Sequence, residues 1–92
     1  MVTALVMINA EPGSVPALAE QLLAIPGVTE VYSVAGPFDI VAVVRVREHD
    51  QLADLVTDRI ARCAGIESSE TLVAFRAYAK RDLGQLWDIG VD

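Results

Sequence analysis

Histidine and cysteine each occur only once in this chain, at His49 and Cys63. Zinc and related sites need several imidazole, thiolate or carboxylate ligands at defined spacing, so the common metal patterns are excluded. A glycine-rich phosphate loop is also missing, and no cofactor of any kind is expected. A lone cysteine cannot close an internal disulfide. Cys63 falls on what reads as the apolar face of a helix and is expected to be an inert buried thiol. His49 stands in Arg47-Glu48-His49-Asp50, between a predicted strand and a predicted helix, and reads as a solvated turn residue.

Positive charge is scarce too. Seven Lys and Arg face thirteen Asp and Glu, for a net charge of -6 and an isoelectric point near 4.5. Binding to nucleic acid relies on clustered basic side chains that displace counterions from phosphate. The seven here are scattered along the sequence, so no direct nucleic-acid contact is expected. Long apolar runs are absent as well: Ala4 to Ile8 and Ile40 to Val44 fall far short of the roughly 20 residues that span a membrane. Met1 to Ala10 lacks the basic start and small-residue cleavage site of a secretion signal. A cytoplasmic protein without a membrane partner is the expectation.

What the chain does have is aliphatic bulk: 53% of its 92 residues are hydrophobic and the mean hydropathy is +0.43. That length suits one domain, and one that buries only about 60 to 65% of its unfolded surface. So much apolar side chain in so small a unit points to self-association.

Val2 to Ala10, rich in Val and Ile and nearly all apolar, predicts a first strand covered on both faces. Ser14 can cap a helix with apolar positions Val15, Leu18, Leu22 and Ile25, with Pro16 tolerated in its first turn, and Pro26-Gly27 ends it. Val28 to Ala35 and Asp39 to Arg47 predict a hairpin joined by a tight Gly36-to-Phe38 connection. Asp50 can cap a second helix, with stripe Leu52, Leu55, Val56, Ile60 and Cys63, that stops at Gly65. Asp58 and Arg62 are spaced for an ion pair on its surface. Ile66 to Tyr78 predicts the fourth strand, with Thr71, Val73, Phe75 and Ala77 on one face and Leu72, Ala74, Arg76 and Tyr78 on the other.

The order βαββαβ carries a weak internal echo, since Ile25-Pro26-Gly27-Val28 and Cys63-Ala64-Gly65-Ile66 each close a helix and open a strand. The fold class is therefore α+β, a ferredoxin-like βαββαβ domain with a four-stranded antiparallel sheet. Its helices cover one face of that sheet. Strands one, three and four are apolar on both, so a second copy is expected to cover the other face and form a dimeric α/β barrel, with Val73 among the residues it covers. Residues 1–80 are assigned to this βαββαβ domain, and residues 81–92 to a C-terminal tail that is a candidate subunit clasp.

Two stretches carry recognition chemistry. In Val34-Ala35-Gly36-Pro37-Phe38-Asp39, Gly36 permits a positive φ and Asp39 can satisfy turn N–H groups, which by itself explains both residues. The same turn also offers loop N–H groups to a carboxylate and Asp39 to an ammonium, the two ends of an amino acid. In Gly65-Ile66-Glu67-Ser68-Ser69-Glu70-Thr71, hydroxyls crowd the opening of strand four, although such residues are ordinary in loops and strands.

Together these stretches resemble the ligand-binding domain of the Lrp/AsnC family of feast-or-famine regulators, over Val2 to about Tyr78. The family's Gly-x-aromatic-Asp turn is matched by Gly36-Pro37-Phe38-Asp39. Its Gly-Val-x-x-Thr-x-Thr stretch is matched by Gly65 to Thr71, and its second-helix opening by Asp50-Gln51-Leu52-Ala53-Asp54-Leu55. The resemblance implies a homodimer of face-packed sheets, with rings of dimers as a further assembly, and an amino-acid effector held between neighbouring subunits. Gly36, Pro37, Phe38 and Asp39 would supply backbone donors and the ammonium partner, and Ser69 and Thr71 of an adjoining chain would supply hydroxyls. Ser69 and Phe38 stand where Thr and Tyr are commoner, which bears on effector identity. The family's helix-turn-helix half has no counterpart in the sequence, in keeping with its acidic charge. The expected function is thus that of a stand-alone effector-binding domain related to transcription regulators, not an enzyme, with a helix-turn-helix paralogue as a candidate partner. The rival readings are a small dimeric α/β-barrel enzyme of the monooxygenase or isomerase type, for which no second titratable group stands near His49 or Asp39, and a ligand-free assembly module.

Overall fold

A computed structural model describes residues 1–80; the tail assigned to residues 81–92 lies outside the described residues. Four strands and two helical segments follow the βαββαβ order: β1 (Val2–Ala10), α1 (Val15–Leu23), β2 (Val28–Ser33), β3 (Ile40–Val46), α2 (His49–Asp54) and β4 (Ile66–Val73). The sheet is antiparallel in the order β2-β3-β1-β4. This is the ferredoxin-like α+β arrangement.

The core follows from a period of two in the strands and about 3.6 in the helices. Ala4, Val6 and Ile8 of β1 and Ile40, Ala42 and Val44 of β3 are fully buried, and they meet Leu18 and Leu22 of α1 and Leu52 of α2. No polar or charged residue is buried among the described residues.

Helix α1 starts where Ser14 predicts. The Ser14 hydroxyl does not cap it, however, but donates to the Glu11 carbonyl at 2.6 Å. The second helix starts earlier than Asp50 suggests. Glu48 takes the N-cap, and the Gln51 amide oxygen accepts from the Arg47 and Glu48 N–H groups at 2.9 and 3.0 Å. It then widens into a π-helical turn over Leu55–Arg59 and tightens into a 3-10 turn over Ile60–Arg62. Leu55 and Ile60 are both buried although five residues apart. An unbroken α-helix would turn that pair about 140° from one another, and the wide turn returns both to the core. The Asp58–Arg62 pair forms, at 2.8 Å, on the exposed side.

Strand pairing fixes which side chains share a face, because directly paired antiparallel residues point the same way. Leu72 pairs with Leu5, whereas Val73 pairs with the buried Ala4. The uncovered face therefore carries Leu5 and Met7 of β1, Val41 and Val43 of β3, Tyr32 of β2 and Leu72 of β4. Val73 belongs to the helix side, opposite to the sequence expectation. Strand β4 also ends at Val73 and not at Tyr78. Ala74 N–H still donates to the Thr3 carbonyl at 2.9 Å, but beyond it β1 has only Val2 left, too little to pair a strand out to Tyr78. Phe75 and Tyr78 are left at 102% and 84% exposure.

The internal echo is structural. Gly27 and Gly65 both adopt positive φ, 103° and 96°. The Gly27 carbonyl accepts from Arg45 N–H at the end of β3, and the Gly65 carbonyl from Glu11 N–H at the end of β1, each at 2.8 Å. A Cβ on Gly65 would lie 2.9 Å from the Ser14 Cβ, while one on Gly13, also at positive φ, would meet nothing within 4 Å. Replacing Gly65 by Ala is expected to lower stability by about 2 kcal/mol or more, from left-handed strain plus overlap, and Gly13→Ala by only the strain of about 1 to 2 kcal/mol. Urea unfolding of the two variants checks the order; equal losses would show that the Gly65 corner relaxes freely.

Candidate functional site

The connection between β2 and β3 is longer than the sequence suggests, because the strands stop at Ser33 and start at Ile40. A bond from Val34 N–H to the Asp39 carbonyl, 3.0 Å, closes it. Gly36 lies at φ 138°, a conformation that other residues rarely adopt, and the space around its α-carbon is open. Gly36 and Pro37 are exposed and Phe38 is half-buried.

Asp39 anchors this turn to the end of β1. Its N–H donates to the Ile8 carbonyl at 2.9 Å, and its carboxylate Oδ2 accepts from the Ala10 N–H at 2.8 Å. The side chain is nonetheless exposed, and Oδ1 makes no hydrogen bond among the described residues. Such a carboxylate is oriented by the backbone with one oxygen left for an external donor. Beside it the β1–β4 ladder breaks register between Asn9 and Ala10. There the Asn9 amide donates to the Ser68 hydroxyl at 3.2 Å, a polar pair that sequence reasoning missed because neither residue is unusual in its place.

Ser69 and Thr71 lie on β4, opposite Ile8 and Val6, while Ile40 and Ala42 of β3 pair with the same two β1 residues from the other side. Strand β1 thus stands between the turn and the hydroxyls. Adjacent strands are about 4.8 Å apart, so two strand spacings separate β3 from β4, roughly 10 Å. Within one chain the structure groups Gly36, Pro37, Phe38 and Asp39, and holds Ser69 and Thr71 apart from them. Ser69 is exposed and Thr71 half-buried on the edge strand.

Three of the basic residues that look scattered in sequence come together elsewhere. Arg45, Arg47 and Arg59 line one groove with Pro26, Gly27, Gln51, Asp54 and Leu55. Arg45 and Arg47 alternate along the end of β3, and the π turn carries Arg59. Cys63 is half-buried and packs against the core; burial pushes its thiol above the ordinary range. On the uncovered face the Tyr32 hydroxyl donates to the Glu30 carboxylate at 2.6 Å, and that bond raises the Tyr32 pKa.

Comparison with known proteins places these features in a family. The profile of the Lrp/AsnC ligand binding domain matches residues 3–83. A Pyrococcus furiosus protein described as an uncharacterized HTH-type transcriptional regulator is 36% identical over 76 residues, 79% of this chain and 51% of that protein. The chain spans about half the length of the curated relatives it matches. A Thermus thermophilus protein of known crystal structure is 48% identical at a TM-score of 0.80, over 87% of this chain and 100% of that one. The feast or famine regulatory protein of M. tuberculosis, solved in complex with L-methionine, is 30% identical at a TM-score of 0.69, over 88% of this chain and 55% of that one.

The geometry makes Asp39 a structural residue whatever else it does. Asp39→Ala leaves the Ala10 N–H without its acceptor and is expected to cost about 0.5 to 2 kcal/mol. Asp39→Asn keeps an oxygen in place and should cost less. Denaturation of both variants tests this, and an Asp39→Ala variant as stable as the parent would show that the bond contributes nothing.

Proposed function

Because the chain belongs to the Lrp/AsnC ligand-binding-domain family, we propose that it is an effector-binding module that senses an amino acid or a similar small metabolite, and that it performs no catalysis. The observation that carries this reading is Asp39: a carboxylate pinned at Oδ2 by the Ala10 N–H and open at Oδ1, at the end of a turn that Gly36 bends outward. A fixed, charged acceptor of this kind suits an ammonium group. The N–H groups of Ala35, Gly36 and Phe38, which the turn's own bonds leave free, suit the carboxylate end of the same molecule. The L-methionine bound by the M. tuberculosis relative supports the ligand class.

The site is half a site in one chain. Ser69 and Thr71 lie on β4, with β1 between them and the turn, and in this proposal a neighbouring copy brings its own hydroxyls to the turn. A homodimer supplies the framework by covering Leu5, Met7, Val41, Val43, Tyr32 and Leu72, of which Tyr32 and Leu72 are 50% and 47% exposed in the lone chain. Rings of dimers extend the same logic. The acidic chain works in the cytoplasm and influences DNA only through another protein, for which a helix-turn-helix relative is the natural candidate.

A thermal-shift series against the twenty amino acids tests the proposal. One ligand class should raise the melting point, with about 2.7 kcal/mol of stabilisation at 100 times its Kd. Asp39→Asn should abolish the shift while leaving the unliganded melt nearly unchanged. A parent protein indifferent to every amino acid would remove the assignment and leave the fold intact.

A further inference from the structure

The chain carries seven Lys and Arg against thirteen acids, yet Arg47 and Arg59 line a single groove of about 390 Å³ together with Arg45, whose guanidinium is turned to Glu30. The groove lies where the Pro26-Gly27 corner, the end of β3 and the second helix meet, away from the Gly36–Asp39 turn. Its volume falls in the range of small-molecule sites. From the charges in it we infer that this groove is a second binding site, for a small metabolite bearing a carboxylate or phosphate oxyanion.

The three arginines are not equivalent. Arg45 is already engaged, 3.5 Å from the Glu30 carboxylate and 3.1 Å from the Thr29 hydroxyl. Arg47 and Arg59 have no ion-pair partner within 4 Å among the described residues, where the only pairs are Arg45–Glu30 and Arg62–Asp58. Two unpaired guanidiniums at one groove are the donors that clamp an oxyanion, because each presents a planar fork of N–H groups. The Gln51 amide contributes as well. Its oxygen is occupied by the Arg47 and Glu48 N–H groups, which turns its NH2 into the free end.

Asp54 also lines the groove. A bare anion would be repelled by it, whereas a ligand that carries a hydroxyl beside its oxyanion gives Asp54 a donor to accept. Hydroxy acids and sugar phosphates have that chemistry.

The equivalent corner in the other half of the echo supplies the contrast. At Ala64-Gly65 the amide of Gln21 bonds both the Ala64 carbonyl, 3.3 Å, and the Ala64 N–H, 3.0 Å, and covers the loop. Gln21 and Leu55 stand equally far beyond their helix N-caps, Ser14 and Glu48. At the Gly27 corner the position therefore holds a leucine, whose side chain is buried and offers no polar cover. One corner is sealed by a polar clamp; the other is left as a groove rimmed by arginine.

Backbone amide chemical shifts in the presence of inorganic phosphate and, separately, citrate test the inference, at constant ionic strength set with chloride. Saturable shifts are expected at Gly27, Arg47 and Gln51, with citrate binding the more tightly because its hydroxyl reaches Asp54. Arg47→Gln and Arg59→Gln should each weaken binding about tenfold or more, and Asp54→Asn should tighten phosphate and narrow the advantage of citrate. Asp39→Asn should leave both titrations unchanged, which separates this site from the amino-acid site. Non-saturating shifts spread over the surface, or equal affinity in the arginine variants, would overturn it.

Discussion

Strands β1 and β3 carry aliphatic side chains on both faces, and two short helices can cover only one of them. Everything else in the molecule follows from how that surplus is distributed. On the helix side Ala4, Val6, Ile8, Ile40, Ala42 and Val44 leave no accessible surface. On the other side Leu5, Met7, Val41, Val43, Tyr32 and Leu72 form an apolar field that reaches all four strands, with Glu70 beside Met7 and the Glu30–Arg45 pair as its charged members. At about 25 cal/mol per Å² of apolar surface removed from water, a second face of this kind is a strong reason to associate. Single exposed apolar residues are ordinary; a contiguous field with a polar rim marks an interface.

The same constraint accounts for the peripheral position of the groups in the proposed sites. A sheet whose two faces are both used for packing has only its edges and connections left for polar work. The Gly36–Asp39 turn, the hydroxyl-bearing edge strand β4 and the arginine groove at the Gly27 corner occupy just those places. The turn is held by bonds to β1, one of the two interior strands of the sheet. In the proposed site Asp39 combines a structural with a recognition role, since Oδ2 holds the Ala10 N–H and Oδ1 is left for a ligand.

Most of the architecture was legible because it rests on local rules. The Val- and Ile-rich apolar run Val2 to Ala10, the stripe Leu18 and Leu22, and the glycines that end both helices each correspond to an observed element. The failures have physical reasons. Asp50 lost the cap to Glu48 because Gln51 can reach back to two N–H groups there, and sequence preference for short acids at caps does not register such a clamp. The π turn is hidden because an apolar stripe reads the same until its spacing is measured against burial at Leu55 and Ile60. Strand β4 was drawn too long because alternation persists to Tyr78 while the partner strand does not, and pairing is a property of two segments. The face of Val73 was misjudged for the same reason: register with Ala4 decides it, and the adjacent Leu72 and Val73, both apolar, carry no internal clue. Of the proposed site, the turn was visible as a motif, whereas its separation from Ser69 and Thr71 by β1 emerged only from strand order.

The account depends on the uncovered face being buried by a second copy, and the mass of the protein in solution tests that most directly. Light scattering on the intact chain at micromolar concentration should give at least twice the 9.9 kDa of one chain, because an interface of this kind buries above roughly 2,000 Å² in obligate pairs. A stable mass of one chain at that concentration would contradict it, and would leave the turn without the neighbouring hydroxyls that complete the proposed site.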